Sequence, residues 1–152
     1  MIQRVQSIWL FLASLTLFLL LILPIVATHA GNTELWLQVA GVYSRTADGV
    51  LKTTSYPGLL GLTVAGCVLC LIAIFLFKNR SLQKNMIIVA IVLILVIILC
   101  IAGYAYQLTS GFQHVSLNIG AALPLLALIF CALAFKGIRH DEQLIRSADR
   151  LR

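Results

Sequence analysis

The feature of this 152-residue chain that first invites a chemical role is Cys67-Val68-Leu69-Cys70. Thiol oxidoreductases and soft-metal sites use this spacing, where a helix N-terminus or a nearby cation holds the sulfur as thiolate. Here both cysteines stand in the middle of an apolar run that contains no cation. They are expected to stay protonated and to serve as small packing groups. Cys100 and Cys131 fall at different depths of other apolar runs, so a four-thiolate centre is not expected. No disulfide follows from the spacing. His29 and His114 sit in two separate polar segments with no cysteine beside them, short of the three or four ligands a metal needs. Glu34 and Asp48 are the acids available for catalysis in those same segments. Ser14, Thr16, Thr63 and Asn118 are the strongest polar groups inside the apolar runs. Ion-coupled transport places an ionisable residue at such depth, and intramembrane proteolysis needs a Ser/His pair, two Asp or a metal motif. Neither pattern is present, so no enzyme activity, cofactor or metal is expected.

The elements that must carry these residues follow from composition. The chain is 61% apolar and 11% charged, with a net charge of +6. A soluble domain is about 45–50% apolar and about 25% charged. Too few polar side chains remain to cover a water-soluble globule, and disordered chains are charge-rich and apolar-poor. The composition excludes a soluble enzyme and removes any nucleic-acid meaning from the basic balance. A bilayer core of ~30 Å takes ~20 apolar residues in a helix. Four runs of that length are predicted as spans, at about 5–27, 59–77, 86–106 and 117–135, in a single domain over 1–152. The first has a rival as a cleaved signal peptide, but its apolar stretch exceeds the ~7–15 residues typical of those.

Basic residues orient the spans. Arg4, Lys78, Arg80, Lys84, Lys136, Arg139, Arg146, Arg150 and Arg152 lie on one side, and only Arg45 and Lys52 on the other. The positive-inside rule places both termini and the 78–85 loop in the cytoplasm. Lys78, Arg80, Lys84, Lys136 and Arg139 are then expected to meet anionic lipid, each contributing ~1 kcal/mol near the surface. Tyr56, Tyr104 and Tyr106 fall at the outer ends of spans, where interfacial aromatics belong.

The segment 28–56 is predicted as an external loop holding a short two-stranded hairpin. Leu35 to Tyr43 and Val50 to Tyr56 are β-prone, with Ala47-Asp48-Gly49 as the turn between them. An isolated hairpin is marginal, so Trp36 is expected to rest on the helix ends. The tail 138–152 reads as a separate amphipathic helix on the cytoplasmic side. Leu144, Ile145, Ala148 and Leu151 share a face, Glu142–Arg146 is an i,i+4 pair, and Asp141 and Glu142 near its start suit the helix dipole. Small residues four apart, Gly61/Ala65 and Gly66/Cys70, predict close helix packing, and Pro124 is a kink signal. The expected fold class is therefore an all-α membrane protein, a four-transmembrane-helix bundle with one external β-hairpin between its first two helices.

Several stretches resemble the bacterial membrane-protein family called domain of unknown function 4293, found largely in Bacteroidetes. They are Met1-Ile2-Gln3-Arg4-Val5-Gln6, the run from Phe77 to Gln83, the run from Ala121 to Leu128, and the tail from Ile138 to Arg152. The resemblance implies four helices in an inner membrane and supplies no catalytic residue or substrate. A looser likeness is to the claudin plan, in four spans, a β-prone first external loop with Trp36, a short second loop and a cytoplasmic tail. The external cysteine pair of claudins is absent, so that likeness is one of layout alone.

The expected role is a non-catalytic inner-membrane accessory or scaffold subunit of a membrane complex, its partners being membrane lipids and another membrane protein and not nucleic acid. Trp36 and Tyr43 on the hairpin and Leu144, Arg146, Asp149 and Arg150 on the tail are the expected docking residues. The alternative is a carrier or pore for lipid or a small hydrophobic molecule, with Asn118 or Thr63 lining a cavity.

Overall fold

The computed structural model describes residues 3–30, 33–46, 49–76, 79–109 and 115–149. Four helices, α1 (Gln3–Ile22), α2 (Pro57–Phe75), α3 (Arg80–Thr109) and α4 (Leu123–Asp149), are joined at one end by strands β1 (Val26–Ala30), β2 (Thr33–Gln38), β3 (Gly41–Thr46), β4 (Gly49–Ser55) and β5 (Val115–Leu117). All four helices are long and apolar enough to cross a membrane.

Each helix buries one seam. The seam runs through the buried Gln6, Leu10, Ala13, Leu17 and Leu20 on α1; Leu59, Thr63, Gly66, Cys70 and Ala73 on α2; Gln83, Ile87, Ala90, Ile94, Ile97 and Ile101 on α3; and Leu123, Ala127, Cys131, Ala134, Ile138 and Asp141 on α4, with Ser14, Thr16 and Pro124 buried beside it. The steps are of three or four residues, strictly alternating on α1, α2 and α3 and with two successive fours from Leu123 to Cys131 on α4, an average period near 3.5. That keeps a narrow stripe in contact along the whole length of paired helices. The helices pack as a ring, α1 on α2, α2 on α3, α3 on α4 and α4 back on α1. The outward positions are also apolar, for example Phe11, Phe18, Val92, Leu99 and Ile129, all exposed. A helix hydrophobic all round needs an apolar surrounding as well as an apolar core.

Small seam residues let the helices close in. A Cβ on Gly66 would lie 3.0 Å from Leu93 and 3.4 Å from Leu17. Of the two small-residue pairs on α2, Gly66/Cys70 faces the core, whereas Gly61 and Ala65 are exposed. Beyond the ends of the ring, α4 continues without a break to Asp149. Residues 138–149 of the tail are thus the last part of α4 and not a separate helix, and 150–152 lie outside the described residues. Asp141 stands far from the first turn, which removes the dipole role expected for it.

The predicted single hairpin is corrected to a five-stranded antiparallel sheet in the order β4-β3-β2-β1-β5. Two features account for the difference. The run from Leu35 to Tyr43 is broken at Val39–Ala40 by a turn into Gly41, whose φ of +148° excludes most side chains. A Cβ at Gly41 would also run into the Thr54 carbonyl. In addition, β1 is flanked by a strand from the other end of the sequence, with Val26 opposite Leu117 and Thr28 opposite Val115. That long-range pair has no local signature.

Backbone and side-chain bonds fasten the sheet to the bundle. The Gln38 amide donates to the Leu21 and Ile22 carbonyls, satisfying orphan acceptors of α1's last turn. Pro24, just past α1, cannot extend the helix, and Ile25 N–H instead donates to Leu37 at 2.8 Å. Tyr56 N–H reaches the Ala40 carbonyl at 3.3 Å where α2 begins, with Pro57 at its first position. Across the bundle-facing side run Val26, Leu37 and Val42, with Thr28 beside them, all buried.

Candidate functional site

Because strand side chains alternate, burying Val26, Leu37 and Val42 turns their neighbours away from the helices. The pairing places Ser116, Ala27, Trp36, Tyr43 and Lys52 in one row across all five strands. Trp36 and Tyr43 stack with ring centroids 5.9 Å apart and 13° between planes. Lys52 Nζ lies 5.9 Å from the Tyr43 ring centre, a cation on an aromatic face. Two residues along, Glu34 and Arg45 are paired across β2 and β3, with carboxylate and guanidinium 3.9 Å apart. The outward face therefore carries an indole, a phenol and both signs of charge on a sheet whose other face is fixed. Trp36 is not among the residues packed on the core; its sequence neighbour Leu37 is.

β4 forms one edge of the sheet and is exposed along its whole length. A register shift between Val42 and Tyr43 puts Thr53 out of step, and such a bulge twists an edge strand. Thr53 Oγ1 donates to Ser44 Oγ at 3.2 Å. Lys52 in mid-strand is the kind of charge that guards an edge from indiscriminate pairing.

A second polar group lies at the opposite end of the bundle, where Gln6, Gln83 and Asp141 occupy seam positions. Gln6 Nε2 donates to Asp141 Oδ2 at 2.6 Å. Gln83 Nε2 donates to the Ala73 carbonyl at 3.0 Å, closing a free acceptor near the end of α2. Gly137 makes room for Gln6, since a Cβ there would lie 3.1 Å from its Cγ. Asp141 is 8% exposed, and its Oδ1 is buried without a hydrogen-bond partner among the described residues. The charge pattern of the tail concealed this site. The signal that reveals it is the continued spacing of Cys131, Ala134, Ile138 and Asp141.

The cysteines meet in part. Cys70 and Cys131 place their sulfurs 4.0 Å apart in the core, and Cys67 Sγ donates to the Ser14 carbonyl at 3.6 Å. Among the described residues no three His, Cys, Asp or Glu converge as a metal set. Thr63 is bonded to the Leu59 carbonyl at 2.8 Å, the local arrangement that spares a buried hydroxyl.

Of the residues expected to meet lipid, Lys136 and Arg139 are exposed and Lys84 is half-buried. Arg80 opens α3, its side chain outside the described residues, as is the whole of Lys78. Leu144, Arg146 and Asp149 belong to the last turns of α4, with side chains outside the described residues, and Arg150 lies outside them altogether. The structure thus brings Trp36 and Tyr43 together, and places them at the other end of the bundle from the α4 residues of which docking was expected.

No curated protein matches the chain. The family model described as domain of unknown function DUF4293 matches residues 2–151, and the chain belongs to that family.

Proposed function

We propose that this protein is a non-catalytic inner-membrane subunit of a bacterial membrane complex, with its termini in the cytoplasm and its sheet on the opposite side. The positive-inside distribution supports the orientation. In that orientation the sheet is a rigid platform at the membrane surface, which fits the extracytoplasmic part of another membrane protein. The observation that carries this reading is the Trp36–Tyr43–Lys52 row on the face turned away from the helices. Interface anchors are enriched in Trp, Tyr and Arg, and preordered rings bind with little entropy loss. The carrier-or-pore alternative has weaker support, in a small pocket beside Asn118. Liposome flux with purified protein tests it.

Isolation in mild detergent followed by mass spectrometry tests the docking reading. A stoichiometric membrane protein is expected with the parent chain and is expected to be lost with Trp36→Ala/Tyr43→Ala, while the melting midpoint stays within a few degrees. Recovery of the parent alone under several mild conditions refutes it.

A further inference from the structure

At the sheet end of the bundle, the corner between α1 and β1 (Leu23, Pro24) meets the corner between β5 and α4 (Asn118, Ile119, Gly120) around a pocket of about 250 Å³. The two corners are clamped by backbone. Asn118 N–H donates to the Ile25 carbonyl at 3.1 Å, and Gly120 lies directly against the Pro24 carbonyl, where a Cβ would collide. Among the described residues the one polar side chain lining the pocket is the Asn118 amide. It is half-buried, does not cap the helical turn that follows it, and has no protein partner among the described residues. On either side of it in the chain, Leu117 and Ile119 are each 77% exposed. Below them the exposed surface of α4 is apolar, through Leu125, Leu126 and Ile129.

Water would satisfy the amide and leave Leu117 and Ile119 wet. Pure hydrocarbon would cover those side chains and leave the amide unpaired, which is costly. A molecule carrying a hydrogen-bond acceptor next to an alkyl chain meets both demands. The pocket is smaller than the ~300–1,000 Å³ that encloses a whole drug-sized ligand, so it holds part of a molecule whose remainder lies along the helices. We propose that it seats the glycerol-ester region of a glycerophospholipid, Asn118 Nδ2 donating to an ester carbonyl and Leu117 and Ile119 lying under the acyl chains. The proposal rests on the membrane reading above. Since no charged side chain lines the pocket among the described residues, zwitterionic and anionic headgroups are expected to compete equally for it.

The full chain is reconstituted into vesicles of equal parts phosphatidylethanolamine and phosphatidylglycerol, with a trace of phospholipid bearing a diazirine beside its ester. Flotation comes first: a chain that stays behind overturns the membrane reading itself. In floated protein, cross-links at 23–24 and 117–120 are expected at least about fivefold above those at Leu59–Leu60 and Tyr104–Tyr106, at the same end. Asn118→Leu is expected to reduce this excess about fivefold, the occupancy change for one neutral hydrogen bond. Leu23→Trp, which fills the pocket and keeps Asn118, is expected to abolish it, and serves where Asn118→Leu does not fold. Even labelling around the sheet end, no labelling, or an excess that survives both substitutions overturns the lipid seat while leaving the membrane reading standing.

Discussion

Asp141 offers the sharpest test of how the bundle is specified. One carboxylate oxygen accepts from Gln6 at 2.6 Å and the other has no partner among the described residues. Gln6→Met keeps the length of the side chain and its unbranched fit over Gly137, but removes the donor. A buried hydrogen bond to a charged group contributes about 1.5–3 kcal/mol, and the stranded oxygen adds to the loss; about 3 kcal/mol of destabilisation is expected. Asp141→Leu strands the Gln6 amide, costing about 1–2 kcal/mol, but removes the orphaned oxygen as well. The net change is near zero. The double variant extends the apolar seam by one position on each helix. Replacing buried polar pairs with packed apolar groups is neutral or stabilising by about 1–4 kcal/mol, so it is expected to equal or exceed the parent. Independent sites would leave it about 3 kcal/mol below. Reversible unfolding in mixed micelles, followed by helical circular dichroism, measures the cycle. A double variant within about 0.5 kcal/mol of the summed single changes, the limit for uncoupled positions, refutes the reasoning.

Gly66→Leu is expected to destabilise by at least about 3 kcal/mol, since overpacking a filled core costs about 1–3 kcal/mol for far smaller insertions, and Leu17 and Leu93 already touch the site; the same unfolding assay checks it. Gly120→Ala is expected to lower the melting midpoint by several degrees, because its Cβ meets the Pro24 carbonyl and not a movable side chain. Cys70 and Cys131, both buried, are expected to resist a water-soluble maleimide in the native protein and to react fully after denaturation. Rapid native labelling at either position contradicts the core packing. In cells, a cysteine introduced at the exposed Val50 is expected to be modified by a membrane-impermeant reagent from the extracytoplasmic side, and a tag on either terminus to stay protected; the reverse pattern overturns the orientation.

Much of the helical architecture is legible in the chain. Four apolar runs separated by polar segments need no tertiary information, because a helix satisfies its own backbone and asks only for length and greasiness. The α2 start at Pro57 and the α1 stop before Pro24 are local too. Between Leu35 and Tyr43, by contrast, uninterrupted β propensity hid a turn. The turn is possible because Gly41 has no side chain to collide with Thr54, a residue of another strand. The extension of α4 past 138 was concealed by a charge pattern that looks the same whether a helix starts there or continues.

Composition and the order of apolar runs by themselves determined that this protein is a set of apolar helices with its charged residues kept to the segments between and beyond those runs, since ionised groups avoid hydrocarbon whatever the packing. Tertiary structure alone decided that β5 pairs with β1, that Trp36 looks outward while Leu37 looks in, and that Asp141 enters the core. Each of these depends on a partner at least a strand away in sequence, and Gln6 and Asp141 are separated by 135 positions. Register and burial are properties of pairs, and a single sequence read along its length records only one member at a time.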